Sequence, residues 1–438
     1  MDTTKVALVG MGTVGTGVAR LLCEEGDRLA HHAGRRIELA KVVVSDTSKG
    51  RDIRLPKGVL TDDLDEVVAD PEITTVAPLI GGLEPERTIV LSLLGHGKNI
   101  VTANKALLAE HGPELFDRAR ELGRSIAFEA AVAGGVPIIA NISQCLSANQ
   151  IMSLQGILNG TSNFILSQME SVGAAYADAV AEAQRLGYAE ADPAMDVDGS
   201  DAAQKLGILA HLAFGARVHW RDIPRVGIDK LELADIQFAD ELGYRIRLLA
   251  VARLVDNELE LHVSPTLVRA NTPLADVSGA FNAVSVEGDA VGPLLFHGLG
   301  AGQMPTASAV VADLIDTVVG RTAITFRTLE LWSRREAMVD ARDFDQVPGR
   351  FYMRFAVQDH PGVMSEITGA LGRNGVSIAS IIQHESGRLG RDEVPLVLMT
   401  HQTTEGAAAR AVREIDRLAS VSAPSVRMRV HDAAVAGK

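Results

Sequence analysis

The segment Gly10-Met-Gly12-Thr-Val-Gly15 follows an apolar run at residues 6–9 and opens a stretch with Val18, Leu21 and Leu22 at helical spacing. Glycines at this spacing are informative only in that setting, between a strand and a helix. There the first permits a tight turn and the second lets the backbone approach a pyrophosphate. The third lets helix and strand pack closely, and the helix N-terminus faces the anion. Gly10, Gly12, Thr13, Val14 and Gly15 are therefore the expected contacts of a dinucleotide. The same feature commits the first part of the chain to an α/β fold with a parallel sheet. Residues 37–44 are β-branched and apolar, and residues 99–102 form another short strand after the turn Gly95-His-Gly97. Strands alternating with helices agree with a parallel sheet.

After the second strand the chain reads Val44-Ser-Asp46-Thr-Ser-Lys49-Gly-Arg51. Asp46 can accept a bond from a free 2′-hydroxyl, which favours NAD. Lys49 and Arg51 can pair with a 2′-phosphate, which favours NADP. Solvated loop charges explain each of the three equally well, so both nucleotides stay open.

Composition narrows the class. Of 438 residues, 47% are hydrophobic and 22% charged, which supplies a large core and excludes general disorder. Such a length suggests several domains. Aromatics are 4%, and 42 basic against 56 acidic residues give a net charge of −14. Neither the aromatic platforms nor the basic face of a nucleic-acid binder is present. Cys23 and Cys145 lie far apart with no partner at metal-ligand spacing, so a reducing, cytoplasmic setting is expected. Residues 1–5 run into a strand rather than a signal peptide, and no apolar run is long enough to span a membrane.

Further along, residues 151–158, 244–254 and 259–263 read as strands, and 174–186, 201–214 and 307–319 as helices. The charged stretch 328–349 ends in Pro-Gly and reads as a linker. The tail then starts again: strand 352–357, turn Asp359-His-Pro-Gly362, helix 364–373, turn Asn374-Gly375 and strand 376–383. Strands 395–401 and 424–430 flank a helix at 406–418. This βαββαβ order describes a small sheet with helices on one face. Its length suits an independent module.

Seven motifs, taken in order, resemble homoserine dehydrogenase. They are Ile80-Gly-Gly-Leu-Glu-Pro, Val101-Thr-Ala-Asn-Lys105, Phe128-Glu-Ala-Ala-Val-Ala-Gly-Gly-Val-Pro137 and Leu158-Asn-Gly-Thr-Ser-Asn-Phe-Ile-Leu166. Gly187-Tyr-Ala-Glu-Ala-Asp-Pro193, Asp198-Gly-Ser-Asp-Ala-Ala-Gln-Lys205 and Gly300-Ala-Gly-Gln-Met-Pro-Thr-Ala-Ser-Ala309 complete the set. The tail, with Asp359-His-Pro-Gly362 and Val376-Ser-Ile378, is similar to the ACT domain of the family's long form. There is one departure. Before Ile80 the family usually has an acidic residue, where this chain has Ala77-Pro78.

The resemblance implies four segments. Residues 1–135 would be a Rossmann-type NAD(P)-binding domain, with the helix near 305–325 packing back on it. Residues 136–327 would be an α+β catalytic and dimerisation domain, 328–349 the linker and 350–430 a ferredoxin-like ACT domain. It implies reversible reduction of L-aspartate 4-semialdehyde to L-homoserine by NAD(P)H, on the route to threonine and methionine. L-threonine would be the feedback effector, bound at 359–363 and 374–378 between paired modules, and the protein a homodimer or homotetramer. No nucleic acid or membrane partner is expected.

The residues carry that chemistry to different degrees. Lys205 is the expected proton donor and acceptor. Asp201 lies four residues before it, Ile208 and Leu212 share its helix face, and Ala202, Leu206, Leu209 and Ala213 form a second apolar stripe. Two apolar faces suggest burial. Desolvation lowers an amine's pKa and a carboxylate one turn away raises it, so the net direction stays open. Without the family, a surface ion pair explains the spacing equally well.

From the family come Glu190 as ligand of the substrate ammonium, Gly187 as a backbone contact and Asp201 as a second anionic partner. Lys105 and Gly302 would lie against the cofactor, Lys105 also serving catalysis. Residues 129–136 read as a strand running into a glycine kink. The family makes them a sodium site, with Glu129 and the carbonyls of Val132, Gly134 and Val136. Thr161 reads as the cap of the helix beyond it. The competing readings are a non-catalytic nucleotide or amino-acid sensor and another ACT-tailed hydroxy-acid dehydrogenase.

Overall fold

The computed structural model describes residues 2–328, 338–383 and 393–431, so part of the expected linker (329–337) and His384 lie outside the described residues. The chain divides into two compact, discontinuous units. The first comprises Met1–Leu154, Ala203–Ile223 and Asn282–Asp340; the second comprises Gln155–Ala202, Pro224–Phe281 and Ala341–Lys438.

In the first unit six strands pair in the order Leu60–Thr61, Arg36–Val43, Thr3–Val9, Ile73–Pro78, Asn99–Val101, Ile126–Ala127. Every pairing is parallel. The chain order reverses beside Thr3–Val9, which places a ligand crevice at the carboxyl ends of Thr3–Val9 and Ile73–Pro78. Val6, Ala7 and Leu8 are wholly buried, as a central strand of such a sheet requires. Helix Gln303–Val318 returns from the far end of the sequence, and its Ala307, Val310 and Leu314 join the core of Val6, Leu8 and Val18. Gly17 permits this approach: a Cβ there would stand 2.8 Å from the Ala307 Cβ.

The departure before Ile80 is absorbed locally. Pro78 is the last residue of its strand, and the Leu79 N–H continues the ladder to the Val9 carbonyl at 2.7 Å. A proline at a strand's end removes no bond from its middle.

In the second unit the hairpin Tyr244–Val255 and Glu258–Arg269 turns at Asp256 and Asn257, both left-handed at φ 52 and 64. Two left-handed residues match the twist of a two-residue hairpin. The tail's four strands pair in the order Val421–His431, Pro348–Gln358, Glu393–Thr400, Ile378–Gln383. Helices Val363–Arg373 and Glu405–Ile415 pack their Ile367, Leu371, Ala408 and Ile415 against Phe351, Met353, Phe355 and Leu398. The βαββαβ order expected from sequence is therefore present.

An independent tail module is not what the structure contains. Val421–His431 also pairs in parallel with Glu258–Arg269, through Arg429↔Thr266, Val430↔Leu267 and His431↔Val268. The tail sheet thus continues into the hairpin's sheet. Side chains alternate along Pro348–Gln358. The odd-numbered Phe351, Met353 and Phe355 face the tail helices, leaving Tyr352 and Arg354 for the other face. There Arg354 donates to both oxygens of Asp235 at 2.7 and 3.0 Å, and the Tyr352 hydroxyl reaches Asp235 at 3.2 Å. Asp235, on helix Leu233–Glu241, is 0% exposed.

Two local expectations are corrected. Residues 129–136 are not a strand: Glu129–Ala131 is a turn of 3₁₀ helix, followed by left-handed Ala133 and Gly134. The Glu129 carboxylate accepts the N–H groups of Ile139 and Ala140 at 2.8 and 2.7 Å, and the chain turns back to allow this. The cap of helix Gly160–Val172 is Asn159, whose side chain accepts from the Ser162 N–H at 2.7 Å. Thr161 instead donates to the Tyr188 carbonyl.

Candidate active site

The glycine loop is built for an anion. Gly10 has φ 99, and a Cβ on it would fall 2.7 Å from Ile80 Cγ2 and 2.9 Å from the Leu79 carbonyl oxygen. A Cβ on Gly15 would fall 2.4 Å from the Gly10 oxygen, so strand, loop and helix close on one another here. Nothing lies within 4 Å of a Cβ built on Gly12, the N-cap of helix Thr13–Glu24. No side chain caps that helix, and no acid occupies its first turn. Open space in front of unsatisfied backbone donors fits a pyrophosphate.

The selector loop gives Asp46 local work. Its Oδ1 accepts from the Ser48 N–H and hydroxyl at 2.8 and 2.6 Å, and the Ser48 hydroxyl leads in holding the carboxyl below its ordinary range. Arg51 reaches back to the Asp46 and Lys49 carbonyls, both at 2.7 Å.

Lys105 is half-buried and opens helix Lys105–Glu121 at the carboxyl end of Asn99–Val101. Asn104 caps this helix through the Leu107 N–H at 3.0 Å, and its amide donates to the Gly82 carbonyl at 2.6 Å. The Ile80-Gly-Gly motif and the Asn-Lys motif are thus tied together beside the glycine loop. On the other side, Gly302, at φ 117, caps helix Gln303–Val318. A Cβ on Gly134 would stand 2.4 Å from the Gly300 oxygen, so the 129–136 turn packs on this segment.

Glu129 is buried, and burial pushes its carboxyl up, Asp316 adding to the effect. Asp313 accepts the Glu129 N–H at 2.8 Å and is raised by burial and then by Glu129. The Val136 carbonyl accepts from Ile138 at 2.8 Å. Among the described residues no group of three or more His, Cys, Asp or Glu is arranged to hold a metal ion.

One helix, Ser200–Phe214, carries both Asp201 and Lys205. They are 3% and 8% exposed, so the buried reading of this helix holds. Asp198 caps its start, accepting from the Ser200 N–H and hydroxyl at 2.7 and 2.9 Å. The Asn159 amide donates to Asp201 at 2.8 Å and to Asp196 at 2.7 Å. Asn159, which the sequence shows only as part of the Leu158–Leu166 motif, is buried here and joins both acids. Gly187 (φ 76) and Glu190 lie exposed in the turn after helix Tyr176–Arg185, within the second unit. His211 is buried, and burial lowers its pKa to about 4, so it is a neutral core histidine.

The chain is similar to known proteins over nearly its whole length. Residues 10–129 match the family described as "Homoserine dehydrogenase, NAD binding domain", residues 137–315 "Homoserine dehydrogenase" and residues 351–418 "ACT domain". The homoserine dehydrogenase of Pseudomonas aeruginosa is 44% identical over 433 residues, covering 98% of this chain and 99% of that protein. That of Bacillus subtilis is 38% identical over 432 residues, with the same coverage. The crystal structure of a homoserine dehydrogenase from Thiobacillus denitrificans superposes with a TM-score of 0.90 at 42% identity, covering 99% of each chain. A hyperthermophilic archaeal homoserine dehydrogenase in complex with NADPH matches at a TM-score of 0.60 and 25% identity, covering 72% of this chain and 98% of that one. No helix among the described residues is long and apolar enough to cross a membrane. The chain belongs to the homoserine dehydrogenase family, NAD(P)-dependent oxidoreductases, and carries an ACT domain at its C-terminal end.

Proposed function

We propose that the protein interconverts L-homoserine and L-aspartate 4-semialdehyde, with Lys205 moving the proton. The observation that carries this reading is one buried helix presenting Lys205 a turn after Asp201, whose carboxylate Asn159 holds. NAD(P), when bound, supplies or accepts the hydride. Lys205, as an ammonium, gives its proton to the oxygen of the aldehyde being reduced; as an amine it takes the hydroxyl proton in reverse. Asp201 orients that ammonium and joins Glu190 in receiving the substrate's amino group, with the Gly187 backbone adding a contact. Lys105 lies against cofactor and substrate. The test is nicotinamide absorbance with L-homoserine and, separately, L-lactate. Turnover with homoserine alone supports the reading. Turnover with lactate favours a general hydroxy-acid dehydrogenase, and no turnover with either favours a sensor.

Glu190→Ala is expected to raise KM for homoserine more than it lowers kcat, because the lost charge serves ground and transition states alike. An unchanged KM contradicts the role.

Asp46 and Arg51 both bond within their own loop, so the reading keeps both nucleotides, with NADP preferred where Lys49 or Arg51 reaches the 2′-phosphate. Replacing both with Ala is expected to weaken NADP binding more than NAD binding in fluorescence titrations. Equal losses would make them solvated charges.

The cation site is Glu129 with the carbonyls of Val132, Gly134 and Val136. Glu129, Gly134, Asp313 and Asp316 line one pocket, which supports it. The ACT domain supports feedback by L-threonine. A cytoplasmic homodimer or homotetramer completes the reading, the two free cysteines supporting the compartment.

A further inference from the structure

Glu86 has no part in the reaction described so far, yet it is a fully buried acid beside the cofactor crevice. It opens helix Glu86–Gly95 and is 0% exposed. Its Oε2 accepts the Gly81 N–H at 2.6 Å, and its Oε1 is buried with no hydrogen bond. Burial pushes the carboxyl up to about 7, against the opposing effects of Gly81, Asn104, Thr102 and Ile80. Those residues are the glycine motif on one side and the capping turn of the Lys105 helix on the other. Asn104 already joins the two through Gly82.

We propose that Glu86 is the positioning acid of this crevice: its carboxylate holds the Gly81 N–H and with it the Ile80–Gly82 loop, which Asn104 in turn joins to the cap of the Lys105 helix. The inference rests on reading the crevice as the cofactor site. The carboxylate is a charge-assisted acceptor for Gly81 and its neighbours only when ionised. Of the other charged groups on the surrounding elements, Arg87, His96 and Lys98 are engaged elsewhere. Arg87, next on the helix, closes on Glu114 of the facing helix and on Glu84. His96, after the helix, turns to the Ser92 carbonyl, and Lys98, before the neighbouring strand, to the Asp70 carbonyl. Lys105 opens the facing helix. Cofactor affinity should therefore fall as pH drops through about 7.

Stability should run the other way. A carboxyl whose folded pKa is raised binds its proton more tightly in the folded state. Its contribution therefore declines as pH rises from the unfolded value towards about 7. A purely structural carboxylate would move stability and binding together.

The test uses Glu86→Gln, with NADH as the probe because it lacks the titrating 2′-phosphate. Carbon-13 titration of the free wild-type enzyme should show one carboxyl with a midpoint near 7 that is absent in Glu86→Gln. Fluorescence titration should show the NADH Kd of Glu86→Gln raised by roughly ten- to a hundredfold at pH 8 and flat with pH, the size of one or two lost buried hydrogen-bond partners. Its melting temperature at pH 8 should be no lower than wild type. A Glu86→Gln enzyme that keeps the wild-type NADH Kd and pH dependence overturns the proposal, as does one that loses affinity only with its fold. Wild-type enzyme that binds neither NADH nor NADPH at any pH would overturn the reading of the crevice itself.

Discussion

Removing every residue after Pro348 is expected to unfold the second unit rather than release a working catalytic core. Asp235 is fully buried, and its bidentate partner Arg354 and the Tyr352 hydroxyl both lie beyond the cut. Stripping one partner from a buried ion pair costs ~3–5 kcal/mol, a large share of the ~5–15 kcal/mol that holds an ordinary domain. The same cut bares an edge of Glu258–Arg269, which pairs with Val421–His431. An unpaired edge invites aggregation. The single change Asp235→Ala, which leaves Arg354 buried without its closest carboxylate, should lower stability by a similar amount. Thermal melts followed by circular dichroism decide this: the 1–348 fragment should show no cooperative transition of the second unit and should scatter light. A cooperative melt near the full-length temperature would mean that the seam adds little. Feedback by L-threonine therefore has to be tested in the intact chain. Asp359→Ala is expected to relieve inhibition while homoserine turnover persists; an intact enzyme indifferent to threonine sinks the effector.

Much of this architecture was legible because local signals agreed. The glycines after residue 9 need a strand before them and a helix after, and Thr3–Val9 and Thr13–Glu24 supply both. The tail's alternation and turns gave its βαββαβ order for the same reason. Its attachment was hidden. Pairing between Arg429 and Thr266 joins residues far apart in sequence, and Arg354 and Asp235 each look like a solvated charge in isolation. The return of helix Gln303–Val318 to the first core was legible only through the resemblance. At the site, the apolar stripes around Lys205 announced a buried helix, which its 8% exposure bears out. Asn159 and Glu86 were missed because polar residues at turns and helix starts are usually capping or solvated groups. What sets them apart is burial, which periodicity does not report. The turn at 129–136 was misread because its geometry is dictated by Glu129 reaching Ile139 and Ala140, a long-range demand on a segment with strand-like composition.

The central claim is that Lys205 moves the proton. It sits in a buried helix with Asp201 one turn before it, and Asn159 fixes that carboxylate. Burial excludes water as a ready substitute, so the alkoxide formed by hydride arrival depends on one amine. Lys205→Ala removes the donor and leaves the glycine loop untouched, and the usual span for general acid–base catalysis puts the loss in kcat at ~10²–10⁴-fold. Lys205→Arg keeps the charge but cannot release its proton near neutral pH, so it should be nearly as slow. A merely electrostatic lysine would be replaced well by arginine. The decisive measurement is the single-turnover rate of L-homoserine oxidation with saturating NADP in wild type, Lys205→Ala and Lys205→Arg, with the NADPH Kd determined alongside. Both variants are predicted to lose the hydride-transfer rate by that factor at unchanged NADPH affinity. A Lys205→Ala or Lys205→Arg enzyme that transfers hydride at close to the wild-type rate would contradict the account.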